Sequence, residues 1–567
     1  MSSGALQIRL ATVSNRVVGS KRDFLVVILV AIAVMLPAMV WGIPSNRDLS
    51  NHFRFTLPFY DALRSGVLYP GWLAESNGGY GDASFRFYPP ALYYLLALMR
   101  AITGGWYVAT LVTFTLISVV GSVGLYLWGS TILPSKNAMW ASILFALAPY
   151  HLNQYYQATM LAEFAGTALL PFAFYFVERI CRGGSRRDAA GLAISYAALL
   201  LTHLPLAVIG SIALFVYALV RLTRHQWVKT SFYLGLGILL GLVASSRYWT
   251  NVLAEQTWIR ADNILPDPSV DYRVNFVLST FSPDNLNVWW MNILLLATVA
   301  MLWPAITLAW SHKTKPEVQQ PTLSGLKAPA VLLLLTLLMM TPVTRSVWSL
   351  LKTLQQTQFP WRWLAITSMV APLLIAAAIP YWETLAKNKK RPLAILALGS
   401  VAISIMFSAS HTVREAKNLN AREFERTLQE IPGSPGVSQW WPSWVNEPVQ
   451  KMNSHVEAGD RSVEVQSWEP ELRKFTIGAG KPQDVRVRTF FYPHWKAFAD
   501  GKELGVRPDT DGALLLSAPA EASSVTLEFR EPGRVRVAAL ASMLGCLVIA
   551  ALLFLAKPLK SAFVKNQ

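Results

Sequence analysis

The sequence predicts a polytopic α-helical membrane protein, with about twelve transmembrane helices and a C-terminal extracytoplasmic β-sandwich domain. Three observations lead there. Of 567 residues, 53% are hydrophobic and only 15% are charged, against roughly 25% charged in soluble domains, which leaves too few polar side chains to coat several water-facing domains. Apolar runs of spanning length recur along the chain, with Lys and Arg gathered between them. One long stretch near the C-terminus, 410–534, lacks such runs and alternates instead with the period of a strand.

Twelve segments meet the requirement of about 20 mostly apolar residues: approximately 24–43, 106–129, 137–150, 164–180, 189–203, 205–222, 230–248, 289–310, 328–343, 363–382, 392–409 and 535–556. Arg9, Arg16, Lys21 and Arg22 precede the first, so the positive-inside rule puts the N-terminus in the cytoplasm. That first segment has no A-x-A cleavage site and reads as an uncleaved anchor. Arg179, Arg182, Arg186 and Arg187 mark one inner loop, Lys313, Lys315 and Lys327 another, and Lys387, Lys389, Lys390 and Arg391 a third. Lys557, Lys560 and Lys565 place the C-terminus inside as well. The stretch 88–104, YPPALYYLLALMRAITG, would turn every later basic loop outward if it spanned. It is read as interfacial or re-entrant.

The domains expected are therefore 1–409, a transmembrane domain with a first outer loop at 44–90; 410–534, an extracytoplasmic β-rich domain; and 535–567, a final span and cytoplasmic tail. VRVRTFFY, GALLLSA and SSVTLEFRE alternate as strands, and the pairs Asp500–Gly501 and Asp511–Gly512 are turn signals. Both ends of this domain are tethered by spans, so it is expected to cap the outer face.

The net charge of +17 is no sign of nucleic acid, because the basic residues lie between apolar runs, where they anchor helices. Two cysteines, Cys181 and Cys546, supply neither a disulfide framework nor a metal cluster. His52, His151 and His203 have no metal-ligand spacing, and no metal site is expected from them. No GxGxxG, Walker or GxSxG motif stands in a suitable strand-to-helix context.

Ionisable residues near an apolar layer are the informative ones, since burial there is expensive. They gather at the outer mouth: Asp48 and His52 in SNRDLSNHFRF, Tyr80 and Asp82 in GGYGDASFRFYPP, and His151, Tyr155 and Glu163 in YHLNQYYQATMLAEF. His203 follows in LLTHLP, Arg247 in SSRYW, and Trp361 with Arg362 in QFPWRW. Asp48 and His52, four apart, share a helix face about 6 Å apart. Such a pair suits proton abstraction from a hydroxyl, or a shared divalent cation. A helix N-cap with a solvated imidazole is the other reading, and local sequence favours it. Arg362 and Arg247 suit a forked grip on a lipid phosphate, or snorkelling to headgroups. Glu163 suits a helix N-terminus, and His203, beside Pro205, a helix end.

The order RDLSNHF, GGYGDASFRFYPPALYYL, APYHLNQYYQATMLAEFA, LLTHLP and QFPWRW resembles the bacterial membrane proteins called 6-pyruvoyl-tetrahydropterin synthase-related, which look like members of the GT-C glycosyltransferase superfamily. The resemblance covers about 40–380, and FYPHWKAFADGKE resembles the β domain that closes many membrane glycosyltransferases. The pterin label carries no function here, since a pterin synthase is a small soluble zinc enzyme.

The resemblance implies a GT-C-like transferase of the bacterial cytoplasmic (inner) membrane, with both termini cytoplasmic and its site facing the periplasm or exterior. Its donor would be a polyprenyl-phosphate-linked sugar, its acceptor a glycan, lipid or protein, with membrane lipids and other envelope biosynthesis proteins as partners. Asp48 takes the place of the acidic residue in the first outer loop. Many GT-C enzymes carry two adjacent acids there; here the neighbour is Arg47, so a single base is the simpler carry-over. A divalent cation, magnesium or manganese, is the one cofactor left open. Catalysis is expected from Asp48 and His52, and substrate binding from Tyr80, Asp82, His151, Tyr155, Glu163, His203, Arg247, Trp361 and Arg362. The rival readings are a lipid-linked glycan or polysaccharide transporter or flippase, and a non-catalytic envelope assembly protein.

Overall fold

The computed structural model describes residues 20–46, 48–259, 270–282, 285–312, 323–387, 391–432, 436–446, 449 and 451–554. Arg9, Arg16, Arg47, Lys313, Lys315, Lys389, Lys390, Lys557, Lys560 and Lys565 lie outside these residues.

Among the described residues each of the twelve expected spans contains helix, but not all are long enough to cross. Among the described residues eight helices have the length and apolarity: Lys21–Trp41, Trp106–Ile132, Leu161–Cys181, Leu204–Arg221, Trp227–Ala244, Pro360–Glu383, Arg391–Arg414 and Gly533–Phe554. A ninth span would be the pair Gly325–Met339 and Pro342–Leu350, bent by 82°. The expected span at 137–150 is a helix of only 12 residues, Ser135–Ala146, because Pro149 forces Ala148 into an extended conformation and opens a new helix, Pro149–Tyr156. Arg186–Thr202 is a 17-residue helix, shorter than the eight.

The ambiguous stretch folds as a helix over Ala91–Thr103, ended by Gly104 in the left-handed conformation. Its 13 residues rise about 20 Å, short of the roughly 30 Å hydrocarbon layer. It packs on Trp106–Ile132 and on the outer helix Leu49–Arg64, in keeping with the interfacial reading.

Where the first span ends, β1 (Ile43–Pro44) pairs antiparallel with β2 (Asn418–Leu419), clasping the start of the first outer loop to the segment after Arg391–Arg414. Gly42 makes the approach possible: its φ is 111°, and a Cβ there would fall 2.2 Å from the Leu419 carbonyl oxygen and 2.6 Å from its carbon. Backbone cannot step aside as a side chain can. Gly42→Ala is expected to open the clasp and to lower stability by about 1–3 kcal/mol, read as a lower melting temperature and faster proteolysis at 415–420. Just beyond the clasp the helix Ala421–Glu430 starts with an Asn420–Glu423 capping box and seats Phe424 against Phe53 (5.2 Å between ring centroids) and Tyr107 (5.8 Å).

The β domain is the expected sandwich. Its strands are β3 (Val456–Glu457), β4 (Val463–Trp468), β5 (Leu472–Ile477), β6 (Gln483–Phe490), β7 (Trp495–Ala499), β8 (Lys502–Leu504), β9 (Val506–Pro508), β10 (Ala513–Ala518) and β11 (Ser523–Phe529). They form two antiparallel sheets, ordered β3-β6-β10-β9 and β4-β5-β11-β7-β8. Val485, Val487, Leu514 and Leu516 from one sheet share a core with Phe475, Ile477, Val525 and Leu527 from the other. Asp500 and Gly501 both take positive φ, 45° and 83°, at the β7–β8 hairpin, as a two-residue turn requires.

The first outer loop enters this core. Trp72 and Tyr80 are buried in the sandwich cluster. The Phe490 N–H donates to the Tyr80 carbonyl at 2.7 Å, and the Trp441 indole donates to Asn77 Oδ1 at 2.9 Å. Cap and membrane domain are thus built together from segments several hundred residues apart.

Candidate active site

Asp48 stands at the N-cap position of the helix Leu49–Arg64, yet its side chain caps nothing. Its Oδ1 accepts from the Asn51 amide at 3.3 Å, and its backbone N–H donates to Thr159 Oγ1 at 2.9 Å. The carboxylate is half-buried. Thr159 holds this position with φ at 48°, a left-handed conformation that is an outlier for a β-branched residue and needs surrounding structure to maintain it. Gln358, beside Arg362, is likewise left-handed at φ 65°. Two of the non-glycine residues with positive φ therefore flank this mouth.

His52 is buried, and both its ring nitrogens are engaged: Nε2 accepts the Leu161 N–H at 3.2 Å, and Nδ1 meets the Tyr93 hydroxyl at 2.9 Å. An acceptor at Nε2 fixes the neutral tautomer with its proton on Nδ1. Tyr93 is in turn hydrogen-bonded to Tyr88. The sequence pairs His52 with Asp48 as a catalytic dyad, whereas here the imidazole ties the Asp48 helix to the start of Leu161–Cys181 and to Tyr93.

Burial lowers the His52 pKa to about 3 from an ordinary 6.5. The contribution to stability is therefore whole above pH 6.5 and is lost as pH falls from 6.5 toward 3. Wild type is expected to exceed His52→Gln in unfolding free energy at pH 7, and the gap to shrink by about 2 kcal/mol at pH 5. Thermal unfolding at both pH values checks this.

Glu163 and Arg362, 199 residues apart, form a buried ion pair, Arg362 Nε to Glu163 Oε2 at 2.9 Å. The Tyr150 hydroxyl donates to Glu163 Oε1 at 2.6 Å, so both carboxylate oxygens are held. Arg362 also donates to the Thr357 carbonyl and lies 4.8 Å over the Phe359 ring. The Tyr88 hydroxyl feels the charges of Asp48, Arg362 and Glu163 together, and His203 feels that of Arg362 and lies near the His52 ring. His203 Nδ1 accepts the Leu206 N–H at 3.2 Å, capping the helix Leu204–Arg221. Asp48, His52, Glu163, His203 and Arg362 therefore share one electrostatic neighbourhood, with Tyr88, Tyr93 and Tyr150 joining them.

The other predicted residues pack elsewhere. Tyr80 is inside the β-domain interface, against Phe490 at 5.3 Å. Asp82 is buried and accepts the Ser84 N–H at 2.7 Å, its pKa raised by burial to about 6. His151 is buried between the Phe145 and Phe164 rings, at 4.6 and 4.5 Å. Tyr155 is buried against Phe114 and Phe164, and Trp361 stacks on Phe359 at 4.6 Å. The rings of Tyr80, Tyr155 and Trp361 are thus buried against other aromatic rings. Arg247 does not join Arg362: it lies 4.3 Å over the Tyr69 ring and belongs to a second cluster.

No local sequence signal marks that second cluster. Glu255 is fully buried and accepts from Arg86 (Nη2 to Oε1, 2.7 Å), the Tyr492 hydroxyl (2.8 Å), His494 Nε2 (3.0 Å) and Arg534. Arg86 Nη1 also donates to Glu531 at 2.7 Å. Burial alone would raise the Glu255 pKa; the hydrogen bonds from Arg86 and His494 outweigh it and hold the carboxyl well below its usual range. One carboxylate thus joins the first outer loop, the helix Ser246–Glu255, the β domain and the last span. Tyr88 is two residues from Arg86, so this latch and the Asp48 mouth share a loop.

Among the described residues no three His, Cys, Asp or Glu side chains gather as a metal site. Glu163 is committed to Arg362 and Tyr150, and both His52 nitrogens are engaged.

A family model described as 6-pyruvoyl-tetrahydropterin synthase related domain, membrane protein, matches residues 85–414. No curated protein matches the chain in sequence. Similar solved structures include the arabinofuranosyltransferase AftD from Mycobacteria (15% identity, 70% of this chain and 27% of that one, TM-score 0.45). The Archaeoglobus fulgidus oligosaccharyltransferase is also similar (11% identity, 76% and 61%, TM-score 0.45), as is ArnT from Cupriavidus metallidurans bound to undecaprenyl phosphate (12% identity, 72% and 76%, TM-score 0.38). The chain spans less than two thirds of the length of the first two.

Proposed function

The chain belongs to the 6-pyruvoyl-tetrahydropterin synthase related family of membrane proteins, and from that premise we propose that it is a GT-C-type glycosyltransferase of the bacterial inner membrane. It transfers a sugar from a polyprenyl-phosphate donor to a glycan, lipid or protein acceptor on the periplasmic or outer side, with both termini in the cytoplasm. The observation that carries this reading is the outer-mouth neighbourhood, where the half-buried Asp48 carboxylate and the Arg362 guanidinium, held in place by Glu163, both act on the Tyr88 hydroxyl.

Asp48 takes the acceptor hydroxyl's proton as that oxygen bonds the anomeric carbon with inversion. The bond from that carbon to the phosphate oxygen breaks, and the electron pair leaves with the polyprenyl phosphate. Charge stabilisation matters more here than protonation. Arg362 supplies it, oriented by Glu163 and Tyr150, and His203 offers its Nε2–H, since its Nδ1 is the acceptor for Leu206. His52 is a positioning residue, setting the Asp48 helix against Leu161.

The transporter reading predicts ionisable groups at mid-span. In the eight candidate spans every Asp, Glu, Lys, Arg and His lies within four residues of a helix end, which favours a reaction at one face. The test is removal of the protein from its host followed by restoration. Loss of one envelope sugar with accumulation of its polyprenyl-phosphate donor, reversed on restoration, is expected. Unchanged envelope sugars and donor pools would overturn the proposal.

A further inference from the structure

At the opposite end of the bundle, the helices Trp106–Ile132, Leu161–Cys181 and Arg186–Thr202 border a groove of about 560 Å³, within the usual range for ligand sites. Leu169, Phe172, Phe176, Ile194 and Ala198 line it, and Arg179, Arg187 and Asp188 stand at one end. Gly191 shapes the floor: a Cβ there would fall 2.2 Å from the Phe176 ring, so only the missing side chain lets that ring lie flat against the neighbouring helix.

Length and charge both specify the occupant. From Arg187 to Ala198 the helix rises about 16 Å, half of the roughly 30 Å hydrocarbon layer, which is the depth of one leaflet. The charged end is net basic: Arg179 and Arg187 stand there against Asp188, and Glu178, next to Arg179 in the chain, is answered by two arginines. Arg182 and Arg221 both pair with Glu178, Arg179 pairs with Asp188, and Lys229 holds the Gly183 carbonyl at 2.7 Å, which brings the next loop to the same edge. A basic pocket between membrane helices at the end of an apolar groove is complementary to a lipid phosphate with its chain below it.

We propose that this groove binds one anionic glycerophospholipid of the adjacent leaflet, its acyl chain along Phe176, Ile194 and Ala198 and its phosphate at Arg179 and Arg187. Arg187 Nε also donates to the Leu553 carbonyl at 3.1 Å. The bound lipid therefore sits where the last span, the outer tether of the β domain, closes on the bundle.

The full-length protein in detergent, offered equal amounts of dioleoyl-phosphatidylglycerol and dioleoyl-phosphatidylethanolamine, tests this by native mass spectrometry. Wild type is expected to retain one phosphatidylglycerol with about five-fold preference, the effect of roughly one basic contact. Arg187→Gln is expected to abolish the preference and Ala198→Trp the retention. Leu239→Trp, at a residue 58% exposed on another helix, leaves both intact. Equal retention of the two lipids by wild type would overturn the proposal. So would unchanged binding in Arg187→Gln, which keeps the test decisive if Ala198→Trp misfolds, or equal loss in Leu239→Trp.

Discussion

Asp48→Asn is expected to lower sugar transfer by about 10²–10⁴-fold, the usual worth of a positioned general base, while leaving stability within about 1 kcal/mol of wild type. The two expectations separate because of how the residue is held. Its side chain makes no N-cap bond to the helix it precedes, and its backbone N–H is fixed to Thr159. An amide keeps that backbone bond and the side-chain volume but cannot take a proton at neutral pH. The measurement is turnover of a polyprenyl-phosphate sugar in membranes with matched protein levels. Donor consumption at the wild-type rate would remove Asp48 from the reaction. Arg362 is a less clean probe, since Arg362→Ala leaves Glu163 as a buried, unpaired carboxylate and is expected to unfold the mouth. Arg362→Lys paired with Glu163→Gln separates loss of the cation from loss of the pair.

Composition and periodicity were enough to reveal the helices and the sandwich, because burying an apolar face imposes a period that any sequence must carry. Span length was less legible. Pro149 cuts one apolar run after 12 residues of helix, and a hydropathy ruler does not see the break. At the mouth, Asp48, Glu163, His203 and Arg362 stood out as ionisable residues beside apolar runs. Their pairing did not, since Glu163 and Arg362 are joined across 199 residues with nothing local to mark it. His52 shows the opposite failure: spacing put it on the Asp48 helix face, but its partners Leu161 and Tyr93 come from other elements and fix a different task. Arg86 and Glu255 carried no signal at all. Each looks like an ordinary surface charge in SFRFYPP and VLAEQ, and only the fold shows that both are buried. Of the latch, only FYPHW carries a sequence signal, through resemblance; Tyr492 and His494 in it are the groups that reach Glu255.

Removing that carboxylate is expected to be the most destabilising single change in the outer half of the protein. Glu255→Ala would strand Arg86, whose side chain is 0% exposed, and leave the Tyr492 hydroxyl, His494 and Arg534 without their shared acceptor. Breaking a buried pair from one side costs about 3–5 kcal/mol, because the remaining charge stays desolvated. Glu531 does not rescue Arg86 fully, since it meets only Nη1. The expected readout is release of the β domain: faster proteolysis between 431 and 455 and a lower melting temperature, with the remaining membrane helices intact. Glu255→Gln keeps the shape and one acceptor oxygen and is expected to fall between Ala and wild type. The pH dependence has a fixed sign. The folded-state pKa of Glu255 is depressed below its ordinary 4.5, so the stabilisation is whole above that value and drains away as pH falls below it; the Glu255→Gln variant lacks this acid-sensitive component. Because Arg86 lies two residues before Tyr88 on the loop that reaches the Asp48 mouth, the same variant is expected to lose transfer activity with Asp48 itself untouched. A Glu255→Ala protein that keeps wild-type melting and activity would show that the packing of Trp72 and Tyr80 and the hydrogen bonds at Tyr80 and Asn77 hold cap and membrane domain without the carboxylate.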